Sequence, residues 1–175
     1  MEIKQSPLSG VYTIKRMPFE DERGSFSRMF CRREFEIMGL CGEIAQANLS
    51  SNKRKGTLRG LHAQKGEHAE DKIVTCVSGE IFDVCVDVRE GSPTFGQYYG
   101  EVLSETNGLS LFVPKGFAHG FLTLKDNVNV IYFVTQYYNS DAETGYHYKD
   151  PLFKIRWPLS EPYIISDKDM SWEYL

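Results

Sequence analysis

Between residues 81 and 88 the chain alternates with a period of two. Phe82, Val84, Val86 and Val88 fall on one side, and Asp83 and Asp87 on the other. A helix of about 3.6 residues per turn would scatter these side chains around its circumference, whereas a strand sends successive residues to opposite faces. The segment therefore reads as a strand. Val128, Val130, Tyr132 and Val134 share one face in the same way, in a run rich in β-branched and aromatic residues. Residues 73–77, 98–103 and 109–113 read as further short strands. Turn signals separate them: Ser78-Gly79, Glu90-Gly91-Ser92-Pro93, Thr106-Asn107-Gly108 and Pro114-Lys115-Gly116. Many short strands at regular spacing predict an all-β sandwich or closed barrel.

Helix signals are few. Residues 32–38 could make two turns, with Gly39 as a C-terminal stop. The tail from Trp157 carries Pro158 and Pro162 and is expected to be irregular until a short turn near Asp167-Lys168-Asp169. No internal repeat or linker is visible, so residues 1–175 are expected to form one domain.

Charge narrows the classes of partner. Twenty Lys+Arg against 24 Asp+Glu give a net charge of -4, which argues against nucleic-acid binding. The one basic cluster, Lys53-Arg54-Lys55, reads as a solvated loop. No apolar run is long enough for a membrane helix, and the first residues lack the apolar core of a signal peptide. A cytoplasmic protein with no membrane partner is expected. Cys31, Cys41, Cys76 and Cys85 fit no zinc-ribbon spacing, and Cys76 and Cys85 sit in apolar runs as expected buried free thiols.

Two histidines stand at motif-like offsets. Gly108, Pro114, Gly116 and His119 have the spacing of the second cupin motif, with Thr123 in place of its asparagine. The first motif should read Gly-x5-His-x-His. The chain offers Gly56-Thr57-Leu58-Arg59-Gly60-Leu61-His62-Ala63-Gln64, so the second histidine has become Gln64. An amide is a poor substitute for a neutral imidazole ligand. His68 and Glu70 are nearby but wrongly spaced. The reading is a cupin pocket that has lost its metal.

Such a pocket must use side chains as acids and bases, and His62, His119, Arg59, Lys72, Asp83, Tyr132 and Asp169 are the candidates. A histidine with an unperturbed pKa of about 6.5 can take a carbon-bound proton when a carboxylate orients it. A tyrosine near about 10 suits the group that returns one. Arg and Lys supply fixed positive charge for a phosphate or a developing enolate oxygen.

Along nearly its whole length the chain resembles the dTDP-4-dehydrorhamnose 3,5-epimerase family. The resemblance rests on an ordered set: residues 21–26, Gln46-Ala47-Asn48, 56–62, Lys72-Ile73-Val74, 79–84, 92–96, 114–121, Trp157-Pro158 and 166–169. It implies a double-stranded β-helix, the cupin or jelly-roll barrel, with a few short helices. It further implies a homodimer that epimerises dTDP-4-dehydro-6-deoxy-glucose, at C3 and C5, to dTDP-4-dehydro-L-rhamnose without a cofactor. Position by position, the catalytic groups would be His62 as base, Asp169 polarising it, and Tyr132 as the acid on the opposite face. Lys72 and His119 would lie near the C4 oxygen, with Asp83 supporting His119. Arg23 and Arg59 would contact the nucleotide's phosphates, and Phe26 would pack on the nucleotide or sugar. Gln46, Asn48, Glu143 and Lys168 would be further substrate contacts.

The chain departs from this family in places. Arg28 stands where a glutamate is typical, Phe133 replaces a residue that is often basic, and the segment from Gln46 to His62 is about one residue longer. The rival readings are a mono-epimerase acting at C3 or C5 alone, an epimerase of a CDP- or GDP-linked keto-sugar, a metal-dependent cupin enzyme and a non-catalytic sugar-binding cupin.

Overall fold

The computed structural model describes residues 1–40 and 42–175. Thirteen strands and two short α-helices are assigned among them. In chain order they are β1 Glu2–Gln5, β2 Tyr12–Lys15, β3 Phe19–Asp21, β4 Gly24–Phe26, α1 Arg32–Ile37, β5 Gln46–Asn52, β6 Leu58–Gln64 and β7 Lys72–Ser78. Then follow β8 Glu80–Asp87, β9 Tyr98–Ser104, β10 Leu109–Val113, β11 Phe117–Thr123, β12 Val128–Val134, β13 Glu143–Gly145 and α2 Asp167–Met170. A six-stranded sheet runs β1-β2-β10-β7-β12-β5, and a five-stranded sheet runs β13-β6-β11-β8-β9. All pairings within both are antiparallel. The two sheets face each other as a jelly roll, as the spacing of the strands predicts.

The core between the sheets is built from alternate residues of both. Val74, Cys76, Val128, Val130, Leu111 and Val113 from one sheet meet Ile81, Cys85, Leu103, Phe117 and Phe121 from the other. The outer faces are covered as well. Val84 and Val86 point out of the five-stranded sheet and pack under Tyr146 and Phe153, with Leu58 and Leu122 beneath Tyr148. The alternation in β8 thus separates two buried layers rather than inside from outside, and the aspartate side is the interior one. Asp83 and Asp87 are both fully buried.

Helix α1 lies over the other sheet, placing Phe35 against Ile14, Ile73 and Phe112. It stops where the sequence predicts. Gly39 takes φ +71°, its N–H bonds Glu36 O, and the Leu40 N–H reaches Phe35 O, which is the Schellman pattern. Cys31, Cys76 and Cys85 are free thiols, the last two buried as expected; Cys41 lies outside the described residues. No helix among the described residues is long and apolar enough to cross a membrane. Lys53, Arg54 and Lys55 are all exposed.

Candidate active site

A pocket opens between the two sheets at one end of the barrel. It is lined from β6 by Arg59, His62 and Gln64, from β11 by His119, from β7 by Lys72 and from β12 by Tyr132. Gln46, Asn48 and Ser50 of β5, Glu143 of β13, and Lys168 and Asp169 of α2 complete the wall.

Arg59 and His62 are three apart, so a regular strand would send them to opposite faces. A β-bulge resolves this. His119 pairs with His62 and Phe121 with Arg59, so Gly60 and Leu61 together oppose Gly120, and the strand resets its phase. Only glycine fits here. Gly60 has φ +104°, and a Cβ on it would lie 2.6 Å from the His119 carbonyl oxygen. Leu61 is thereby turned outward into the layer under Tyr146 and Phe153, while His62 faces the pocket.

His62 is bonded through Nε2 to Asp169 Oδ1 at 2.7 Å. The other carboxylate oxygen of Asp169 accepts the Gly60 N–H at 3.0 Å, and the Ser166 hydroxyl caps α2 by accepting the Asp169 N–H. Far from being solvated, Asp169 is 5% exposed. Burial alone would raise its pKa, but the bonds from His62 and Gly60 overcome this and hold the carboxyl below its ordinary value. It therefore stays ionised, holds the proton on His62 Nε2 in place and leaves the ring's Nδ1 free as a base.

His119 is built the same way. Its Nε2 meets Asp83 Oδ1 at 2.8 Å. Asp83 is wholly enclosed, with Oδ2 unpartnered, and burial pushes its pKa up against the opposing charge of His119. Tyr132 sits on the facing sheet. Burial raises its phenol while the Arg59 charge opposes, so the hydroxyl keeps its proton through the neutral range. Lys72 is 9% exposed and contacts the Glu70 carboxylate. Lys168 pairs with Glu143 at 2.6 Å. Arg59 bonds only the neutral Asn52 amide oxygen, at 2.8 Å. Among the described residues it is the one pocket cation without a carboxylate partner.

At the place of the motif's second histidine, the Gln64 amide is engaged on both sides. Among the described residues no three His, Cys, Asp or Glu side chains converge on a point.

A family model for dTDP-4-dehydrorhamnose 3,5-epimerase matches residues 5–175. The chain belongs to this epimerase family. The dTDP-4-dehydrorhamnose 3,5-epimerase of Escherichia coli is 40% identical over 170 residues, 97% of this chain and 91% of that protein. The crystal structure of the family member from Elizabethkingia anophelis matches with a TM-score of 0.94 at 41% identity, covering 99% of this chain and 96% of that one. The Legionella pneumophila 3,5-epimerase RmlC, solved in complex with dTDP-4-keto-L-rhamnose, matches with a TM-score of 0.93 at 40% identity, over 99% and 92% of the two chains.

Set against the family pattern, the pocket gathers His62, Tyr132, Asp169, Gln46, Asn48, Arg59, Lys72, His119, Glu143 and Lys168, with Asp83 behind His119. Arg23 and Phe26 do not line it. They lie on the separate β3–β4 hairpin, where Arg23 is clamped to Asp21 and Phe26 is 71% exposed. Neither Arg28 nor Phe133 lines the pocket. Phe133 points behind the sheet and stacks on Phe30, and Arg28 pairs with Glu34 at 3.6 Å on the surface.

The sequence reading overlooked Ser50, Tyr138 and Ser166 as lining residues and took Glu70 only as a misplaced metal ligand. Tyr138 and Ser166 lie in irregular segments with no periodicity to betray them. Ser50 follows Gln46 and Asn48 at a spacing of two, which was the signal available.

Proposed function

We propose that this chain, as a single domain, inverts C3 and C5 of dTDP-4-dehydro-6-deoxy-D-glucose to give dTDP-4-dehydro-L-rhamnose. One observation carries the reading: His62 on the five-stranded sheet and Tyr132 on the six-stranded sheet face one pocket from opposite walls. Inversion at carbon needs a base on one face and an acid on the other.

The C4 ketone acidifies the hydrogens at C3 and C5. His62 takes one, its positive charge balanced by Asp169. The C–H electron pair moves onto the carbonyl, forming an enolate whose oxygen lies near Lys72 and His119. The Tyr132 hydroxyl delivers its proton to the opposite face and the carbonyl reforms. The tyrosinate then regains a proton from solvent, His62 loses one, and the cycle repeats at the second carbon. The acid and base are each worth on the order of 10²–10⁴ in rate, and preorganised charge near the enolate is worth at least as much. Arg59, free of any carboxylate, is the anchor for the diphosphate.

Arg23 and Phe26 fit the same reading in a homodimer. The exposed hairpin would carry them to a partner's pocket, supported by the outward Phe19, 80% exposed, beside Phe26. Free thiols accord with a cytoplasmic enzyme. The test is His62→Ala assayed on the dTDP keto-sugar, with light scattering on the wild-type protein for its mass. Loss of epimerisation in a folded variant is expected. Near-normal turnover would reject His62 as the base, and turnover of the CDP or GDP sugar alone would reassign the nucleotide. A monomeric mass would reject the shared pocket.

A further inference from the structure

The cations of the pocket are paired selectively. His62 holds Asp169, His119 holds Asp83, and Lys168 holds Glu143. Lys72 holds Glu70, a carboxylate that the mechanism above does not use. Glu70 precedes β7 by two residues, and its side chain is 9% exposed. One of its oxygens touches the Lys72 ammonium and the other accepts from Gln64 Nε2 at 3.2 Å.

Gln64 is itself fixed. Its Nε2 also donates to the carbonyl oxygens of His68 at 3.1 Å and Tyr137 at 3.2 Å, while its Oε1 accepts the Asn139 N–H at 2.6 Å. The glutamine standing at the position of the missing second histidine therefore holds a carboxylate against the lysine.

On the epimerase reading above, we propose that Glu70 is a positioning residue that keeps the Lys72 ammonium charged and aimed at the oxygen on which enolate charge develops. A lysine this deep gives up its proton easily. Burial pulls Lys72 down to about 8, with the charge of Glu143 opposing. A carboxylate in contact opposes burial more strongly than one across the pocket, because Coulomb energy falls with distance. Among the described residues no other carboxylate is in contact with Lys72. Glu143 and Asp169 are bound to Lys168 and His62, and Tyr132 and Tyr138 are neutral phenols whose pKa values are raised further. His68, beyond Gln64, bonds the Asn139 side chain. Without Glu70, Lys72 would share the pocket with His62, His119 and Arg59 and have no anion in contact.

Glu70→Gln keeps the shape and an accepting oxygen but removes the charge. Lys72 is active while protonated, and its charge is lost as pH rises through its pKa. Lowering that pKa moves the alkaline limb of kcat to lower pH. Turnover of Glu70→Gln is expected to be near wild type at about pH 6.5 and to approach roughly tenfold below it by about pH 9.5, since moving the limb down by about one pH unit changes the charged fraction about tenfold well above both limbs. Glu70→Asp should keep the wild-type limb at a lower plateau. A loss equal at every pH would overturn the proposal.

A second readout needs no substrate. In protein carrying ¹³C-labelled lysine, the Lys72 resonance, assigned by its absence in Lys72→Arg, should titrate near pH 8 in the wild type and at lower pH in Glu70→Gln. The same midpoint in both proteins would overturn the proposal. Failure of the wild type to epimerise would count against the proposed activity while leaving this titration to decide Glu70.

Discussion

Asp169→Asn is the sharpest perturbation of the proposed base, because the carboxylate accepts two bonds that an amide cannot both accept. In the wild type, Oδ1 receives His62 at 2.7 Å and Oδ2 receives the Gly60 N–H at 3.0 Å. An asparagine oxygen turned to His62 aims its NH₂ at the Gly60 N–H, donor against donor. Turned the other way, its NH₂ points at Nε2 and forces the imidazole into the wrong tautomer. The first arrangement leaves a buried donor unpaired, at a cost of about 1–3 kcal/mol. For a chain of this size that is a fall in melting temperature of roughly 2–4 °C per kcal/mol. The second arrangement removes the base, and a carboxylate-to-amide change that imposes the wrong tautomer has lowered kcat by about 10⁴ in another enzyme. Either way the charge balancing the imidazolium is gone. The expected result is a folded protein with kcat down about 10²–10⁴-fold, measured by trapping product with a reductase, together with a modest drop in melting temperature. A variant within about threefold of wild type would refute the assignment of Asp169 to the base.

Other predictions follow from the same geometry. Tyr132→Phe should suppress product formation more than loss of substrate C–H signal in deuterated water, since His62 still abstracts; equal loss of both would argue against Tyr132 as the acid. Gly60→Ala would place a Cβ 2.6 Å from the His119 carbonyl at a φ of +104°, and should lower stability by several kcal/mol, on the order of strain plus overpacking; an unchanged urea midpoint would show that the bulge is not needed. Asp169 has a lowered pKa, so its contribution to stability is present above the unfolded value of about 3.9 and lost as pH falls through the folded one. The stability gap between wild type and Asp169→Asn should therefore close below about pH 4 in denaturant titrations, and a gap that persists there would contradict the linkage.

The parts of the barrel that were legible in the sequence are those where one strand face is apolar. β8, β10 and β12 fall within a residue of their expected bounds for this reason. β5 escaped because it lines the pocket. Its inward residues are Gln46, Asn48 and Ser50, while Leu49 points outward at 64% exposure, so its pattern is inverted. β1, with Ile3 as its one apolar residue, had too little alternation to detect. The spacing of His62 and His119 revealed a pocket, but the glycine bulge that lets Arg59 join them has no periodic signature. Glu70 shows its role only once β6 and β7 are folded, when Gln64 and Lys72 close on it from two strands. The hairpin carrying Arg23 and Phe26 was readable as a motif and not as a position, because nothing local says where it packs.

The most direct test of the central claim is to incubate the wild-type protein with dTDP-4-dehydro-6-deoxy-D-glucose in deuterated water and follow the C3 and C5 proton signals by NMR. Loss of both, with formation of dTDP-4-dehydro-L-rhamnose, is the predicted result. Persistence of both signals in a folded, saturated protein would contradict the account, and loss of one alone would limit the enzyme to a single centre.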